Sequence, residues 1–173
     1  MPTSLYHATV PTFIQVLEPL GGLIAKAREH CREKGLPDTA LTEARLAPDM
    51  WPFAKQVMAA CQHSAGAVEG VQADGCGPDL TPPPTAFDAL DAAVARALAT
   101  LRAVTPDQID GIADKDTCFR FGETRMDYSV RDYLLSFALP NFFFHDSMAY
   151  AVLRAQGLAI GKRDWLGNPR RKG

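Results

Sequence analysis

Two polar side chains, Asn141 and His145, interrupt an almost uncharged apolar stretch near the end of the chain. They are four residues apart, so on a helix they lie on one face. An imidazole in such a stretch can ligate a metal ion or, with its pKa tuned by burial, act as a general base. A catalytic zinc or nickel site in a helical bundle needs about three side-chain ligands and one open position. The amide of Asn141 is a neutral oxygen donor that suits zinc poorly, so this pair supplies one strong ligand.

A second imidazole, His63, could contribute to such a site. It lies in a helical pattern from which it could reach the interior of a bundle, but it stands off the apolar stripe of that helix. The alternative is structural: Asn141 and His145 hydrogen-bond to each other and to backbone carbonyls that Pro140 leaves without partners. From the residues alone we weigh a metal site, a general base at His145 and a buried hydrogen-bonding pair, and the pattern favours the last.

The element that must position this pair is one long helix, predicted over residues 129–157. Ser129 is a good N-cap, and Gly157 is placed to end the helix. Apolar residues recur close to helical spacing along its length, and almost no charge interrupts residues 133–153. We therefore expect most of this helix to be buried.

Three other amphipathic stretches are long enough to form the rest of a bundle. Their apolar stripes predict helices over residues 10–34, 49–72 and 85–104. An extended lead-in, residues 1–9, precedes the first of them. Inside that first helix, Pro19 and the pair Gly21-Gly22 predict a kink or a break.

The segments between the helices have their own signals. Proline and glycine predict a stiff loop over residues 73–84, and a short helical turn is expected at 39–44. Alternation over residues 117–128, with Gly122 at the turn, predicts a short β-hairpin. The sum is a mainly all-α fold, an up-and-down four-helix bundle with a short β-hairpin before the last helix. We expect one domain over residues 1–173.

The bulk composition bounds the function. The formal net charge is −2 and the pI is about 6.1, so no basic field recruits nucleic acid. The four cysteines form no Cys-x-x-Cys pair, and no phosphate-binding glycine motif is present. The N-terminus does not resemble a signal peptide, and no stretch is apolar enough to span a bilayer, with residues 133–153 coming nearest. We expect a cytoplasmic protein that contacts neither nucleic acid nor membrane. The run of Phe142, Phe143 and Phe144 favours a homodimer.

Several strings of residues resemble a known family. In chain order they are Ser4-Leu5-Tyr6, Ala44-Arg45-Leu46-Ala47-Pro48-Asp49-Met50, Lys55-Gln56-Val57, Phe137-Ala138-Leu139-Pro140-Asn141-Phe142-Phe143-Phe144-His145, Ala149-Tyr150, Ile160-Gly161-Lys162 and Leu166-Gly167. They extend over nearly the whole chain and resemble the domain of unknown function 1993 family. That family is grouped with the DinB/YfiT-like superfamily of metalloenzymes.

The resemblance implies a four-helix bundle that is often dimeric. Some members of the wider group bind a divalent metal through three histidines, one on the second helix and two that are four apart on the last. Some are thiol transferases or hydrolases. By position, the last-helix pair corresponds to Asn141 and His145, and the second-helix ligand to Gln56, Gln62 or His63. This sequence departs from the pattern at Asn141.

We therefore expect a central polar pocket that holds His145 and Asn141, together with Gln56 or His63. At its rim we place Tyr6, Asp49 and Tyr150. The leading hypothesis is a metal-dependent transferase or hydrolase in which His145 is catalytic and binds zinc or nickel with His63, although a protein without metal is an equal alternative. A second hypothesis is a non-catalytic dimer that has lost the metal site and binds a small ligand or a partner segment. A third is a structural core with no pocket.

Overall fold

Four long helices form the framework of residues 4–73 and 75–172, the part of the chain that the computed structural model describes. In chain order the elements are α1 (Leu5–Lys34), α2 (Thr39–Thr42), α3 (residues 53–72), α4 (Phe87–Ala103), α5 (Pro106–Asp110), β1 (Asp116–Phe121), β2 (Thr124–Ser129), α6 (residues 130–155) and α7 (Lys162–Leu166). The mainly helical architecture, with a hairpin before the last long helix, confirms the predicted fold class. Outside the described residues lie residues 1–3 of the predicted lead-in, Asp74 of the predicted loop, and Gly173.

Two of the long helices each contain a π-helical turn. α3 consists of the α-helical segments Phe53–Cys61 and Ala67–Gln72 with the π-helical turn Gln62–Gly66 between them. α6 begins with Val130–Asp132, continues through the π-helical segment Tyr133–Ala138 and ends with Leu139–Ala155. A π-helical turn changes the direction in which nearby side chains point, and such turns are frequent at functional sites.

The order of the helices around the bundle differs from their order in the chain. α1 packs against α4 and α6, and α3 packs against the same two helices. α1 and α3 therefore lie across one diagonal of the bundle, and α4 and α6 across the other. The long links, residues 35–52 and 104–129, span these diagonals. In the core between α1 and α6, Phe13 meets Phe142 edge to face with ring centroids 5.0 Å apart.

α1 begins earlier than the sequence predicted. The Oγ of Ser4 accepts the backbone N–H of His7 at 3.1 Å, so the helix starts at Leu5 and the predicted extended lead-in is helical from that residue onward. Thr9, which could have capped a later start, is buried and donates its hydroxyl to the carbonyl of Leu5 at 2.8 Å. The cap at Ser4 stabilises the earlier start because it satisfies an N–H that would otherwise have no helical partner.

Pro19 does not break α1, which runs without interruption to Lys34. Because proline has no N–H, the carbonyl of Gln15, four residues earlier, lacks its helical donor. Gly167, with φ +65°, lies so close that a Cβ there would come within 2.5 Å of that carbonyl oxygen. The Gln15 amide also donates from Nε2 to the carbonyl of Leu166 at 3.3 Å. The C-terminal segment therefore covers the point at which the sequence predicted a break.

The predicted β-hairpin is confirmed and is tied to the loop that follows α3. Its strands are antiparallel, and Gly122 occupies the turn with φ +56°. The backbone N–H of Cys76 donates to the carbonyl of Cys118 at 2.8 Å, and that of Arg120 donates to the carbonyl of Cys76 at 2.9 Å. These bonds fix the proline-rich loop beside β1.

By length and composition α1 is the one helix, among the residues that the structure describes, that could cross a membrane. The sequence analysis instead placed the nearest such stretch at residues 133–153. In the apolar window of α1, 44 % of the residues are buried inside the bundle. A core helix of a globular bundle meets the same test.

Candidate functional site

A cavity of about 630 Å³ opens on one side of the bundle. α3, α6, β1 and the proline-rich loop all line it, and the link before α3 contributes the indole of Trp51. Most of the lining is aromatic or aliphatic, with three imidazole or amide side chains, His63, Asn141 and His145. Such a volume and lining are typical of small-molecule sites.

His145 is held in one orientation by a residue of the facing helix. Its ring is 7 % exposed, and Nδ1 lies 2.8 Å from Oε1 of Gln56, which is itself 2 % exposed. The amide of Gln56 donates from Nε2 to the carbonyl of Trp51 at 3.3 Å, and this directs Oε1 at the imidazole. Because Oε1 can only accept, we assign the proton to Nδ1 of His145. Nε2 then carries a lone pair.

That lone pair is available to a ligand. No described residue donates a hydrogen bond to Nε2 of His145. In the described chain, three side-chain polar atoms are fully enclosed without a hydrogen-bond partner, and Nε2 of His145 is not one of them. Nε2 therefore has accessible surface. His145 lines the cavity and also a smaller recess beside Trp51 and Phe144.

His145 lies in the middle of an aromatic stack. Its ring is parallel to the indole of Trp51, with centroids 5.3 Å apart, and to the imidazole of His63, with centroids 5.4 Å apart. His63 in turn meets Phe137 edge to face at 5.8 Å. The stack forms a continuous wall of flat side chains, which favours a planar ligand.

The π-helical turns place two members of this wall. His63 lies in the turn Gln62–Gly66 of α3, and Phe137 lies in the segment Tyr133–Ala138 of α6. The sequence pattern put His63 off the apolar stripe of a regular helix. The wider turn holds more residues than an α-helical turn, so side chains here point in other directions than the α-helical pattern predicts, and His63 lines the cavity.

Both imidazoles are neutral at physiological pH. Burial lowers the pKa of His63 to about 4. Burial also lowers the pKa of His145 to about 4, and the nearby charges of His63 and Lys55 add to the effect. A neutral His145 is a good hydrogen-bond acceptor, but with so low a pKa it is a weak general base near neutrality.

The predicted hydrogen bond between Asn141 and His145 is not formed. Asn141 donates from Nδ2 to the carbonyl of Phe137 at 2.8 Å, while His145 pairs with Gln56. The two side chains do share one helix face and one cavity, as their spacing predicted. Only the facing helix could supply the partner of His145, and its rotational position was not readable from the sequence.

Three residues predicted at the rim lie elsewhere, and we correct their placement. Tyr6 follows the cap of α1, where its backbone N–H donates to Oδ1 of Asp110 at 2.9 Å. Asp49 is exposed in the link before α3, and Tyr150 packs against the core. None of the three lines the cavity. Tyr150 is turned away because five helical residues rotate a side chain by about 140°.

Further residues, which no sequence pattern singled out as site residues, close the cavity. Trp51 and Phe137 form its aromatic wall, and Lys55 fixes the loop by donating to the carbonyls of Asp79 at 2.7 Å and Thr81 at 3.3 Å. The stiffness of the proline-rich loop was a usable signal, since a rigid segment can serve as a wall. The position at which this loop packs on the bundle was not readable from any local sequence pattern.

The side chains present do not fit the three-histidine metal site of the wider superfamily. The described residues contain no group of three or more His, Cys, Asp or Glu side chains that could hold one ion. The rings of His63 and His145 are stacked, with an interplanar angle of 10°. A nitrogen lone pair lies in the plane of its ring, so stacked rings direct their lone pairs along separate planes rather than at one ion. The predicted site formed by His145 and His63 lacks this geometric support.

The fold is that of a DinB-like bundle. The crystal structure of a DinB family member protein from Shewanella denitrificans superposes with a TM-score of 0.81 at 24 % sequence identity, over 98 % of this chain and 95 % of that chain. At this identity the likeness shows the fold. No curated protein matches the sequence.

The family can be stated more narrowly than the fold. Residues 5–166 match the family described as domain of unknown function (DUF1993). The match spans nearly the whole chain, so this protein belongs to that family, and the resemblance noted in the sequence is confirmed.

Proposed function

We propose that this protein binds a small, largely apolar organic ligand in the cavity, and that Nε2 of His145 accepts a hydrogen bond from it. The observation that carries the proposal is the Gln56–His145 bond of 2.8 Å, which leaves Nε2 without a partner on a residue that lines an apolar cavity. An acceptor without a partner in such surroundings favours a ligand that supplies a donor, because water is poorly held among aromatic rings.

His63 supports the same proposal. A neutral imidazole carries one donor and one acceptor, and neither nitrogen of His63 is hydrogen-bonded to a described residue. The cavity lining therefore offers three unused hydrogen-bonding positions from two histidines beside a flat aromatic wall. This arrangement suits a planar molecule with one or two polar groups.

Matched neutral probes test the proposal. We expect 2-naphthol, which has a hydroxyl donor, to bind about 5- to 10-fold more tightly than 2-methoxynaphthalene, which has none, in line with the net value of one hydrogen bond. Isothermal titration calorimetry gives the affinities, and amide chemical-shift changes locate the bound probe.

The control variants distinguish an effect of His145 at this cavity from a general effect of replacing any histidine. His145→Phe should remove the preference for the hydroxyl, whereas His30→Phe on α1 should retain it. Binding of neither probe, or shift changes that map away from α3 and α6, would overturn the proposal.

A metal-dependent transferase or hydrolase is the second candidate. It is favoured by the DinB-like fold and by two histidines at one cavity, and it is weakened by the missing third ligand. Elemental analysis of protein purified without a histidine tag tests it. Stoichiometric zinc or nickel that His145→Ala abolishes would favour this candidate over the metal-free site.

The predicted homodimer stays a proposal. Phe142 is fully buried and Phe143 packs near Trp165, but Phe144 is 54 % exposed and lines a smaller recess with Trp51 and His145. If a dimer forms through this aromatic surface, Phe144→Ser should convert it to a monomer in light scattering. An unchanged mass would exclude this surface. The cytoplasmic location likewise stays a prediction.

A further inference from the structure

We infer that the ligand of the cavity is a monoanion, an apolar planar molecule with one carboxylate, and that Lys55 and Arg45 hold its negative charge at the cavity mouth. The inference rests on the proposed function and names the chemical class of its ligand.

The cavity wall is more basic than the protein as a whole. Of the charged side chains that line it, Arg45 and Lys55 are cationic and Asp79 is anionic, so the lining carries one net positive charge. The complete chain has a net charge of −2. An excess of positive charge at a mainly apolar opening therefore runs against the overall charge, and aromatic walls strengthen its attraction for an anion because they lower the local dielectric constant.

The ammonium group of Lys55 is fixed in position without a neutralising contact. Nζ donates to the backbone carbonyls of Asp79 at 2.7 Å and Thr81 at 3.3 Å, and it lies 5.7 Å from the centre of the Trp51 ring. An ammonium has three N–H donors, so one remains for a ligand. Within the described chain Lys55 forms no ion pair with a carboxylate.

Asp79 offsets only part of this charge: hydrogen bonds from Thr81 lower the pKa of Asp79 most, and the charge of Lys55 adds a smaller lowering. Its Oδ1 accepts the backbone N–H of Thr81 at 2.8 Å, so the carboxylate turns back on its own loop. The backbone carbonyls of the loop accept hydrogen bonds from Lys55, and the ammonium charge stays at the cavity.

Arg45 supplies the second cation of the lining. Its Nη1 donates to the carbonyl of Met50 at 3.0 Å, which holds the guanidinium near the mouth while most of its five donors stay unused. A guanidinium matches the two oxygens of a carboxylate. Two cations facing one wall carboxylate fit a single negative charge better than the multiple charges of a polyphosphate.

A matched series of probes tests the inference on the full chain. We expect 6-hydroxy-2-naphthoate, which keeps a hydroxyl donor for Nε2 of His145, to bind about tenfold more tightly than 6-hydroxy-2-naphthamide by calorimetry at 50 mM salt, and the ratio should fall as salt is raised. The amide keeps the ring system and the polar group but removes the charge. The corresponding cation, 6-(aminomethyl)-2-naphthol, should bind most weakly.

Variants assign the effect to the two cations. Arg45→Gln should reduce the preference for the hydroxynaphthoate over the hydroxynaphthamide several-fold without touching the loop. Lys55→Gln should reduce it further, and Lys55→Arg, which keeps charge and donors, should restore most of it. Lys115→Gln, at an exposed lysine outside the cavity, should leave the preference unchanged.

The outcomes distinguish this inference from the proposed function. If the hydroxynaphthoate and the hydroxynaphthamide bind equally and 2-naphthol still binds in the cavity, the inference that the ligand is an anion is wrong. The proposed small-ligand site would then still stand. A preference that survives the Arg45→Gln/Lys55→Gln double variant would also overturn it. Failure of every probe to bind would overturn both.

Discussion

α6 places two titratable residues next to each other in the chain and in opposite surroundings. His145 faces the cavity, stacks on Trp51 and has its Nδ1 proton accepted by Gln56. Asp146 is turned to the other side, is 1 % exposed and has no hydrogen-bond partner for Oδ1 in the described chain. The two residues diverge because one step along an α-helix turns a side chain by about 100°.

Each residue is accompanied by a tryptophan, but the two tryptophans act differently. Trp51 stacks flat on His145 and is 48 % exposed. The Trp165 indole N–H approaches the Asp146 carboxyl, and that approach offsets part of the rise in the pKa of Asp146. The pair still falls short of hydrogen-bond geometry, since Trp165 Nε1 and Asp146 Oδ1 are both enclosed without a partner.

The comparison shows how burial acts on acids and bases. Burial disfavours the charged form, so it lowers the pKa of His145 to about 4 and raises the pKa of Asp146 to about 7. Both groups are driven towards neutrality. The histidine has a fixed partner and lines the cavity, which suits a ligand site, whereas the aspartate has no partner for Oδ1, does not line the cavity and belongs to the core.

The largest effect that we predict concerns Asp146. Its pKa is about 7 in the folded protein and 3.8 as the unperturbed value, so ionisation above pH 4 stabilises the unfolded chain. Asp146→Asn removes that charge and should raise the free energy of unfolding at pH 8 by on the order of 3 kcal/mol. The gain should shrink as the pH falls and vanish below about pH 3.8, where the carboxyl of Asp146 becomes protonated in the folded and the unfolded chain alike. Urea unfolding at several pH values measures it.

The matched control is Asp116→Asn, at an exposed carboxylate of β1. It should change stability little at any pH. A destabilised Asp146→Asn protein at pH 8 would show that the carboxylate has a charged partner and that the contrast with His145 is wrong.

The second prediction concerns the two histidines, whose pH dependence has the opposite sign. Their folded pKa values are about 4 against 6.5 for the unperturbed group, so below pH 6.5 the unfolded chain binds more protons. Stability should therefore fall as the pH drops from about 6.5 to 4, by on the order of 2 kcal/mol for each histidine at pH 5. In the unmutated protein Asp146 has the opposite effect on stability over this pH range, because its pKa is higher in the folded state than in the unfolded state.

In the Asp146→Asn variant, the pH dependence of stability that the two histidines cause can be measured without the opposing effect of Asp146. There, unfolding free energy should decrease steadily on acidification from pH 7 to 5, and adding His145→Phe should remove about half of the decrease. The carboxylates of Asp79, Asp110 and Asp164 have lowered pKa values and titrate below this window. A flat profile in the Asp146→Asn protein would refute the buried neutral histidines.

The smallest effect that we predict concerns Gln56. Gln56→Leu leaves the Nδ1 proton of His145 without an acceptor and should destabilise the protein by about 1–2 kcal/mol. It should also let the imidazole proton move to Nε2, which nitrogen-15 NMR of the ring detects. Gln56→Glu has nearly the same shape and should raise the pKa of His145, because a carboxylate favours the imidazolium. An unchanged tautomer in Gln56→Leu would show that another group orients the ring.

The sequence by itself determined the local features of this protein. Periodic apolar residues placed four long helices, Gly122 and the flanking alternation placed the hairpin, and the spacing of Asn141 and His145 put both on one buried face. Ser129 caps α6 as predicted, with its Oγ accepting the N–H of Asp132 at 3.0 Å. These features depend on interactions within a few residues, which a sequence pattern records directly.

Only the tertiary structure decided which side chains meet. The partner of His145 proved to be Gln56 and not Asn141, the π-helical turns brought His63 and Phe137 to the cavity, and the proline-rich loop closed it through Lys55. Tyr6, Asp49 and Tyr150 were excluded from the site for the same reason. The rotation of one helix against another is set by the packing of the whole core, and no local stretch of sequence carries that information.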